Sequence, residues 1–339
     1  MALRISDWLD DEGLNPPAGS SENGLIGRSP AMRRLFGHIE SISGSDATVL
    51  LEGETGVGKN RVARLIHQIS PRAARPFVAF NAATLSEELF ESELFGHVKG
   101  AFTGAYDHHK GLARVADGGT LFIDEVGELS LPNQSKLLSF LDHKQVRPVG
   151  GLRPFTVDLR LIAATNQDLR VRVRSGAFRR DLYYRIRVFP LQVPSLRERP
   201  EDVPIFARHF LARHNGKYGK QVRGFTREAM QGLRTGRWEG NVRELENVIE
   251  RAVVLTPDGA AIELRTLALE EDALCAEPAD AEATSLRASR EGAERQLIDR
   301  ALRRGRWNVS AAARELGISR VGLTRKLKQL GLRRPGTST

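Results

Sequence analysis

The segment LLEGETGVGKN, residues 50–60, has the residue types and spacing of a phosphate-binding loop. An apolar run leads into Gly53, four residues separate it from Gly58, and Lys59 follows directly before a helical pattern. Glycines let backbone N–H groups turn towards a phosphate, and the lysine supplies positive charge to the β- and γ-phosphates. Asn60 stands where serine or threonine usually ligates Mg²⁺. The predicted nucleotide-binding residues are Gly53, Glu54, Thr55, Gly56, Val57, Gly58, Lys59 and Asn60.

Two adjacent acids, Asp124 and Glu125, close the apolar segment TLFIDE about sixty residues after this loop. At that distance from a phosphate-binding loop, Asp124 is predicted to hold Mg²⁺ and Glu125 to orient or deprotonate the attacking water. Asn166 ends another apolar segment, LIAATN, and either lies between the acids and the γ-phosphate or is an ordinary polar residue at a strand end. These residue types predict hydrolysis of ATP with Mg²⁺.

Two arginines, Arg179 and Arg185, lie close together in the segment GAFRRDLYYRIRVFPL, residues 176–191. A guanidinium from a neighbouring subunit can stabilise the transition state of phosphoryl transfer. The alternative is that both arginines pair with acids on their own surface. The sequence alone leaves both interpretations open.

The segment KGAFTGAY, residues 99–106, sets Phe102 and Thr103 between pairs of glycine and alanine. The side chains are too small for a core strand, and the glycines are unfavourable in a helix. An exposed aromatic ring on such a loop is costly unless a partner covers it. The ring is therefore either buried within its own domain or covered by a partner protein, and the pattern alone leaves both interpretations open.

The elements that position these residues follow from the hydrophobic pattern. Apolar runs at 47–53, 76–82, 119–125 and 158–166 read as buried strands, which indicates a parallel α/β sheet covered on both faces. The expected segments are a disordered leader (1–23), an α/β ATPase subdomain (24–195), a helical lid (196–268), a linker (269–289), a helix-turn-helix domain (290–332) and a tail (333–339).

The net charge of +9 is concentrated at one end of the chain. Residues 290–339 hold thirteen Lys or Arg and four acids, which accounts for all of it. Such a basic block suggests a polyanionic partner. The absence of a long apolar run predicts no membrane partner, and a single cysteine with no signal-like leader fits the reducing cytoplasm.

Within the basic block, three helical patterns predict a helix-turn-helix, with a tight turn at Gly317. Ser319 is expected to cap the third helix, and Arg320 and Thr324 near its start are candidates for base edges. Arg325 and Lys326 are expected to reach phosphates. The predicted DNA-binding residues are Ser319, Arg320, Thr324, Arg325, Lys326 and Lys328.

Residues 24–332 resemble the bacterial enhancer-binding proteins, the AAA+ activators of sigma-54 RNA polymerase. The matching motifs are GETGVGK, ELFGHVKGAFTGA, ADGGTLFIDE, FRRDLYYRI, LRERPEDV and WEGNVRELENVIERAV. The resemblance implies an AAA+ parallel-sheet ATPase with a helical lid and a C-terminal, all-α, Fis-type helix-turn-helix domain. It also implies that the GAFTGA loop contacts sigma-54 through Gly100, Ala101, Phe102, Thr103, Gly104 and Ala105.

The resemblance assigns further roles. Asn81 matches a switch residue that pairs with Glu125, Asn166 a first sensor, and Arg243 a second sensor in the lid. Arg179 and Arg185 match arginine fingers that reach the ATP of an adjacent subunit. The implied assembly is a homo-oligomer, from dimers on enhancer DNA to a hexameric ring that converts the closed polymerase complex into an open one.

Some features depart from the family. Asn60 stands where the family commonly has glutamate, and Glu239 replaces a proline in the lid. Only about 23 residues precede the ATPase segment, too few for a sensor domain, so control is expected from a trans-acting regulatory protein, either a separate inhibitory protein or a partner subunit, or through expression level. Two alternatives stay open: a regulator of ordinary promoters with a degenerate ATPase, and a general AAA+ remodeller of DNA or protein.

Overall fold

The structure, a computed structural model, describes residues 9–10, 13–14, 25–102 and 104–267, and six single positions nearer the C-terminus: 298, 309, 312, 313, 323 and 327. The chain divides into two compact units, Met1–Glu271 and Asp272–Thr339, and each is described by itself. No helix in the described part of the chain is long and apolar enough to cross a membrane.

Five strands form one sheet in the first unit. They are β1 (Val49–Glu52), β2 (Phe77–Asn81), β3 (Thr120–Asp124), β4 (Arg160–Thr165) and β5 (Phe189–Gln192). The order across the sheet is β2-β3-β4-β1-β5, and all neighbouring strands are parallel. The predicted parallel α/β sheet is confirmed, and four of its strands lie within the predicted ranges.

The two faces of the sheet bury alternate side chains of the same strands, as the two-residue period of a strand requires. In β3, Leu121 and Ile123 join one hydrophobic cluster and Phe122 joins the other. In β4, Leu161 and Ala163 face the first cluster, whereas Ile162 faces the second. A strand buried on both sides reads as a continuous apolar run, which is why the sequence identified these strands.

Helices cover both faces. One face is covered by α1 (Pro30–Ser41) and α2 (Lys59–Gln68). The other is covered by α3 (Glu87–Phe95), α4 (Leu112–Val115), α5 (Leu131–His143), α6 (Leu169–Arg174) and α7 (Arg180–Ile186). The start of α1 is fixed locally: Ser29 Oγ accepts a hydrogen bond from Met32 N–H (3.3 Å), and Pro30 begins the helix.

The remaining helices of the first unit form a separate hydrophobic cluster, called the lid here and comprising residues 196–267. They are α8 (Val203–Tyr218), α9 (Arg227–Thr235), α10 (Asn241–Leu255) and α11 (Leu264–Leu267). Trp238 is buried in this cluster and its ring N–H donates to Leu233 O (2.8 Å). The lid also contains one pair of two-residue parallel strands, Gly224–Phe225 and Ala261–Ile262.

Three features differ from the sequence reading. β5 was not predicted, because it has four residues and contains Pro190, which a sheet tolerates at its edge. Two-residue strands Leu9–Asp10 and Gly13–Leu14 pair within the segment expected to be disordered. A further antiparallel pair joins Gln145–Val146 to Phe155–Thr156.

In the second unit the described positions are all helical. Ile298, Ala312, Ala313 and Leu323 form one buried cluster, with Val309 and Leu327 packed against it. Such apolar contacts are expected on the inward faces of packed amphipathic helices. The predicted DNA-binding residues themselves lie outside the described residues.

Phe122 tests the two-faced core of the sheet. It is fully buried in β3 and stacks on Phe77, with ring centroids 6.1 Å apart. We expect Phe122→Ala to lower the free energy of unfolding by about 3–5 kcal/mol, because it removes buried apolar area and leaves a cavity. Urea denaturation followed by circular dichroism measures the change. Val115→Ala, at a side chain that is 50% exposed, is the control and should stay within about 0.5 kcal/mol of wild type.

Candidate active site

The loop between β1 and α2 holds a buried lysine. Lys59 is the first residue of α2 and is only 6% exposed. Its Nζ donates to Gly53 O (2.9 Å) and Glu54 O (3.3 Å) and lies 3.4 Å from Glu125 Oε1. The ammonium is therefore fixed beneath the loop at the N-terminus of a helix, where the macrodipole favours a bound anion.

The two predicted acids lie at the carboxyl end of β3, where Asp124 is the last residue of the strand. Glu125 follows it with φ of 52° and ψ of 48°, the left-handed region that is rare for residues other than glycine. Its Oε2 accepts a hydrogen bond from Asn166 N–H (3.0 Å). Strained backbone of this kind concentrates at functional sites, and here it directs the carboxylate towards Lys59.

Asn166 completes a chain of contacts across three neighbouring strands. It follows β4 directly, and its Nδ2 donates to Thr55 Oγ1 (3.0 Å) in the loop after β1. Because the strands are parallel, their carboxyl ends meet at one edge of the sheet. The structure therefore brings Lys59, Glu125, Asn166 and Thr55 together, although up to 111 positions separate them in the sequence.

The electrostatics of Asp124 favour a positive ligand. Burial, and then the negative charge of Glu125, raise the pKa of Asp124. Lys59 and Arg243 act in the opposite direction but do not cancel this rise. A cation bound beside Asp124 would favour its ionised form.

The lid closes the other side of the same cleft, which has a volume of about 440 Å³. Gly56 has φ of 80°, and a Cβ at this position would lie 2.2 Å from Gly240 O, so the loop approaches the lid too closely for any side chain. Val242 N–H donates to Gly56 O (3.1 Å). Arg243 follows on α10 and lines the cleft with Asp124 and Glu125.

Several cleft residues were missed by the sequence reading. Leu25, Ile26, Phe206 and Val242 give one end of the cleft apolar walls, and Arg199 lines it as well. An apolar slot beside a phosphate-binding loop suits the flat face of a nucleotide base. The residues come from the segment before α1 and from the lid, so no local motif joins them.

Asn81 also lines the cleft and lies opposite Asp124 in the pairing of β2 with β3. Its Oδ1 accepts a hydrogen bond from Ala83 N–H (2.8 Å) and so caps the turn Ala82–Thr84 that leads to α3. Pairing between Asn81 and Glu125 stays a prediction.

Neither Arg179 nor Arg185 lines this cleft within the single chain. Arg179 pairs with Asp181 (2.6 Å), and Arg185 pairs with Asp142 (3.1 Å) and donates to Leu141 O (2.9 Å). Both remain partly exposed, at 41% and 47%. The local pairing that the sequence left open is present in the structure, and both guanidinium groups also stay accessible from outside the chain.

The GAFTGA loop forms a tight turn at the surface. Gly100 N–H donates to Ala105 O (2.8 Å), and Ala105 N–H donates to Phe102 O (3.0 Å). The Phe102 side chain is 41% exposed, and its ring lies edge-on to His97 with centroids 5.0 Å apart. Thr103 lies outside the described residues.

Family models match three successive segments of the chain. Residues 25–192 match the sigma-54 interaction domain, and residues 197–284 match the AAA+ ATPase lid domain. Residues 289–330 match the bacterial regulatory protein, Fis family. The order agrees with the α/β domain, the helical lid and the C-terminal helix-turn-helix inferred from the sequence.

Individual relatives support the same assignment. The chain is 47% identical over 314 residues to the transcriptional regulatory protein ZraR of Salmonella typhimurium, covering 93% of this chain and 70% of that protein. It is 47% identical over 322 residues to the anaerobic nitric oxide reductase transcription regulator NorR of Salmonella agona. This match covers 92% of this chain and 64% of that protein. The crystal structure of NtrX from Brucella abortus in complex with ATP has a TM-score of 0.70 and 35% identity, over 91% of this chain and 69% of that one.

NtrX from Brucella abortus has also been crystallised with ADP, and that structure gives a TM-score of 0.71. The cleft described above and these matches assign the chain an ATP-binding AAA+ domain. The chain therefore belongs to the sigma-54-dependent transcriptional activators, AAA+ ATPases that carry a Fis-type DNA-binding domain.

Proposed function

We propose that this ATPase works as a homo-oligomeric ring that remodels the closed sigma-54 polymerase complex into an open one. The observation that carries the proposal is the chain of contacts from Lys59 through Glu125 and Asn166 to Thr55. These contacts join the phosphate-binding loop to the ends of β3 and β4. A change at the γ-phosphate would therefore alter the positions of the loop and of both strand ends.

In the proposed hydrolysis, Glu125 takes a proton from the attacking water as the water oxygen bonds to the γ-phosphorus. The bond from the γ-phosphorus to the bridging oxygen breaks, and the products are ADP and inorganic phosphate. Lys59 stabilises negative charge on the phosphates, and Asn166 orients Glu125. Arg243 is proposed to contact the phosphates from the lid. Each of these roles is supported by position in one cleft.

Asp124 is the proposed ligand for Mg²⁺. No group of three or more His, Cys, Asp or Glu in the described residues could hold a metal alone, so the nucleotide phosphates would supply most of the oxygen ligands. The raised pKa of Asp124 fits a neighbouring cation, since such a charge would offset the cost of ionising a buried carboxyl. Bound Mg²⁺ would neutralise the charge that develops on the phosphates.

Arg179 and Arg185 are proposed to act on the ATP of the adjacent subunit. Neither arginine lines the cleft of its own chain and both are partly exposed, which supports this role. A head-to-tail arrangement would place the arginine-bearing surface of each subunit against the cleft of the next, and it forms a ring where the rotation between subunits closes. Asn81 is proposed to report the nucleotide state from the cleft to α3, which leads to the GAFTGA loop.

Phe102 is the proposed contact with sigma-54, together with Thr103, and the exposed ring supports it. The C-terminal domain is proposed to bind enhancer DNA as a dimer. Its proposed DNA contacts remain Ser319, Arg320, Thr324, Arg325, Lys326 and Lys328. Motion of the loop during hydrolysis would then act on polymerase held at the promoter.

One prediction for the active site concerns Asp124. A carboxyl whose pKa is raised on folding destabilises the protein as pH rises through that pKa. Asp124→Asn should therefore raise the melting temperature of the nucleotide-free protein at pH 7, by about 2–4 °C for each kcal/mol gained. The gain should shrink as the pH falls towards about 4. ATP hydrolysis with Mg²⁺ should fall about 100-fold or more.

Asp46→Asn is the matched control. Hydrogen bonds from Arg72 lower the pKa of Asp46, so removing this charge should cost stability instead of adding it. A lower melting temperature for Asp124→Asn would contradict the raised pKa, and full hydrolysis would contradict the proposed metal ligand.

Another prediction tests the shared active site. The Lys59→Ala variant should not bind nucleotide, but its arginines should still act on the ATP of a neighbouring subunit. The Arg185→Ala variant should bind ATP but hydrolyse it poorly. Mixed in equal amounts, the two inactive variants should regain roughly a quarter of wild-type hydrolysis by random assembly. Arg170→Ala, which alters another exposed arginine paired on its own surface, is the control and should stay active. A mixture that remains inactive would place the arginine effect within one subunit.

A further prediction tests the loop. Phe102→Ala should keep ATP hydrolysis and DNA binding but form no open complexes at a sigma-54 promoter with ATP, because the exposed ring is lost. Tyr106→Ala, an 81% exposed aromatic just outside the hexapeptide, is the matched control and should retain open-complex formation. Open complexes with Phe102→Ala would refute the role of the ring. Their absence even with wild type would favour a general remodeller.

A further inference from the structure

The first residue of α10 has an unusual conformation. Asn241 has φ of 55° and is completely buried. Left-handed backbone costs energy for residues with a side chain, and asparagine tolerates it better than most. A buried amide must also find partners for its donors and its acceptor. Asn241 therefore combines an unfavourable backbone conformation with a buried polar side chain, and both require specific contacts around it.

The amide of Asn241 is hydrogen-bonded on both sides. Its Oδ1 accepts from Leu196 N–H (2.8 Å), at the start of the lid. Its Nδ2 donates to Glu54 Oε2 (3.1 Å) and Thr55 O (3.0 Å) in the phosphate-binding loop, and to Glu239 O (3.3 Å). Only an amide offers a donor and an acceptor in this arrangement, because a carboxylate would face other acceptors.

Glu54 has a second partner in the lid. Arg197 forms a two-point ion pair with its carboxylate, one contact being Nη1 to Oε2 at 2.9 Å. Hydrogen bonding to Arg197, and then to Asn241, lowers the pKa of Glu54. The pair is partly exposed, at 52% and 40%, so alone it contributes little. Its effect here is to keep the acceptor of Asn241 ionised and in place.

These contacts join the phosphate-binding loop to the lid at one point. Next to Asn241, Val242 N–H donates to Gly56 O, and Gly240 O occupies the space that a side chain on Gly56 would need. Arg243 lies one residue further and lines the cleft. The position of Arg243 relative to the loop is therefore set by the two residues that precede it.

We propose that Asn241 is a positioning residue for ATP hydrolysis. It holds the start of α10 in register with Glu54 and Thr55, so that Arg243 meets the nucleotide and the lid follows the state of the loop. The inference rests on the proposed role of Arg243, and the two can fail separately. Asn241 itself need not touch the nucleotide.

The test compares Asn241→Asp with Arg243→Ala and with the double variant. Asn241→Asp keeps the size of the side chain but replaces its donor with a carboxylate that faces Glu54. We expect kcat to fall about 10-fold or more for each single variant. The double variant should be no slower than the slower single one, because Asn241 acts through Arg243.

Asn215→Asp provides the matched control. Asn215 is another amide of the lid, and it bonds both ways to the backbone of Val222, with its Nδ2 to Val222 O at 2.9 Å. This variant should lower the melting temperature but leave kcat and KM for ATP unchanged. It measures how far the loss of an amide in the lid lowers the melting temperature when the active site is unchanged.

Binding of ADP, read as the rise in melting temperature that ADP produces, is the second readout. Asn241→Asp should reduce this rise, whereas Asn215→Asp should preserve it. If Asn241→Asp does not fold, Glu54→Ala removes the partner from a partly exposed position and should give the same changes in weaker form.

Three results would overturn the inference. The first is that Asn241→Asp, like Asn215→Asp, lowers the melting temperature but leaves kcat and the response to ADP unchanged. The effects of Asn241→Asp and Arg243→Ala on kcat could multiply in the double variant, which would mean independent action. Glu54→Ala could leave kcat and the response to ADP unchanged. A normal kcat for Arg243→Ala together with a reduced ADP response for Asn241→Asp would refute the role of Arg243 but keep the coupling of loop and lid.

Discussion

The ion pair between Lys59 and Glu125, 3.4 Å long, is the contact on which the active site depends. Lys59 is buried at the start of a helix, where its charge would be costly without a counter-ion. Glu125 meets it from a strained backbone position, which the hydrogen bond from Asn166 N–H helps to hold. The pair therefore orders the loop, the end of β3 and the end of β4 together.

The lid adds a second constraint on the same loop. A Cβ on Gly56 would lie 2.2 Å from Gly240 O, so the loop and the start of α10 cannot shift independently without breaking close backbone contacts. The cleft thus lies between the edge of the sheet and the helical lid. A nucleotide that contacts both would bias their relative position, which is how binding becomes movement.

The sequence predicted the parts of the fold that are encoded locally. Continuous apolar runs identified β1 to β4, and glycine spacing identified the phosphate-binding loop. It did not predict β5, whose single proline and short length hide an edge strand. The apolar wall of the cleft was also missed, because Leu25, Ile26 and Phe206 come from separate segments that only the fold brings together. The double bonding of Asn241 is equally a tertiary property.

The route from the cleft to the loop tip is short along the chain. β2 ends at Asn81, the turn after it leads to α3, and α3 ends at Phe95, directly before the loop. The segments around Gly96 and His109 form the stem of the loop. They approach so closely that a Cβ on Gly96 would lie 2.4 Å from His109 O.

Two backbone hydrogen bonds between His97 and His109, both 3.0 Å, tie the two sides of this stem together. His97 is also fixed to α3, since its Nδ1 lies 2.7 Å from Ser92 Oγ, and it carries the ring of Phe102 on its other side. In the proposed mechanism, these contacts would pass a displacement of α3 on to the tip, and the glycine-rich turn that holds Phe102 would be the part that bends.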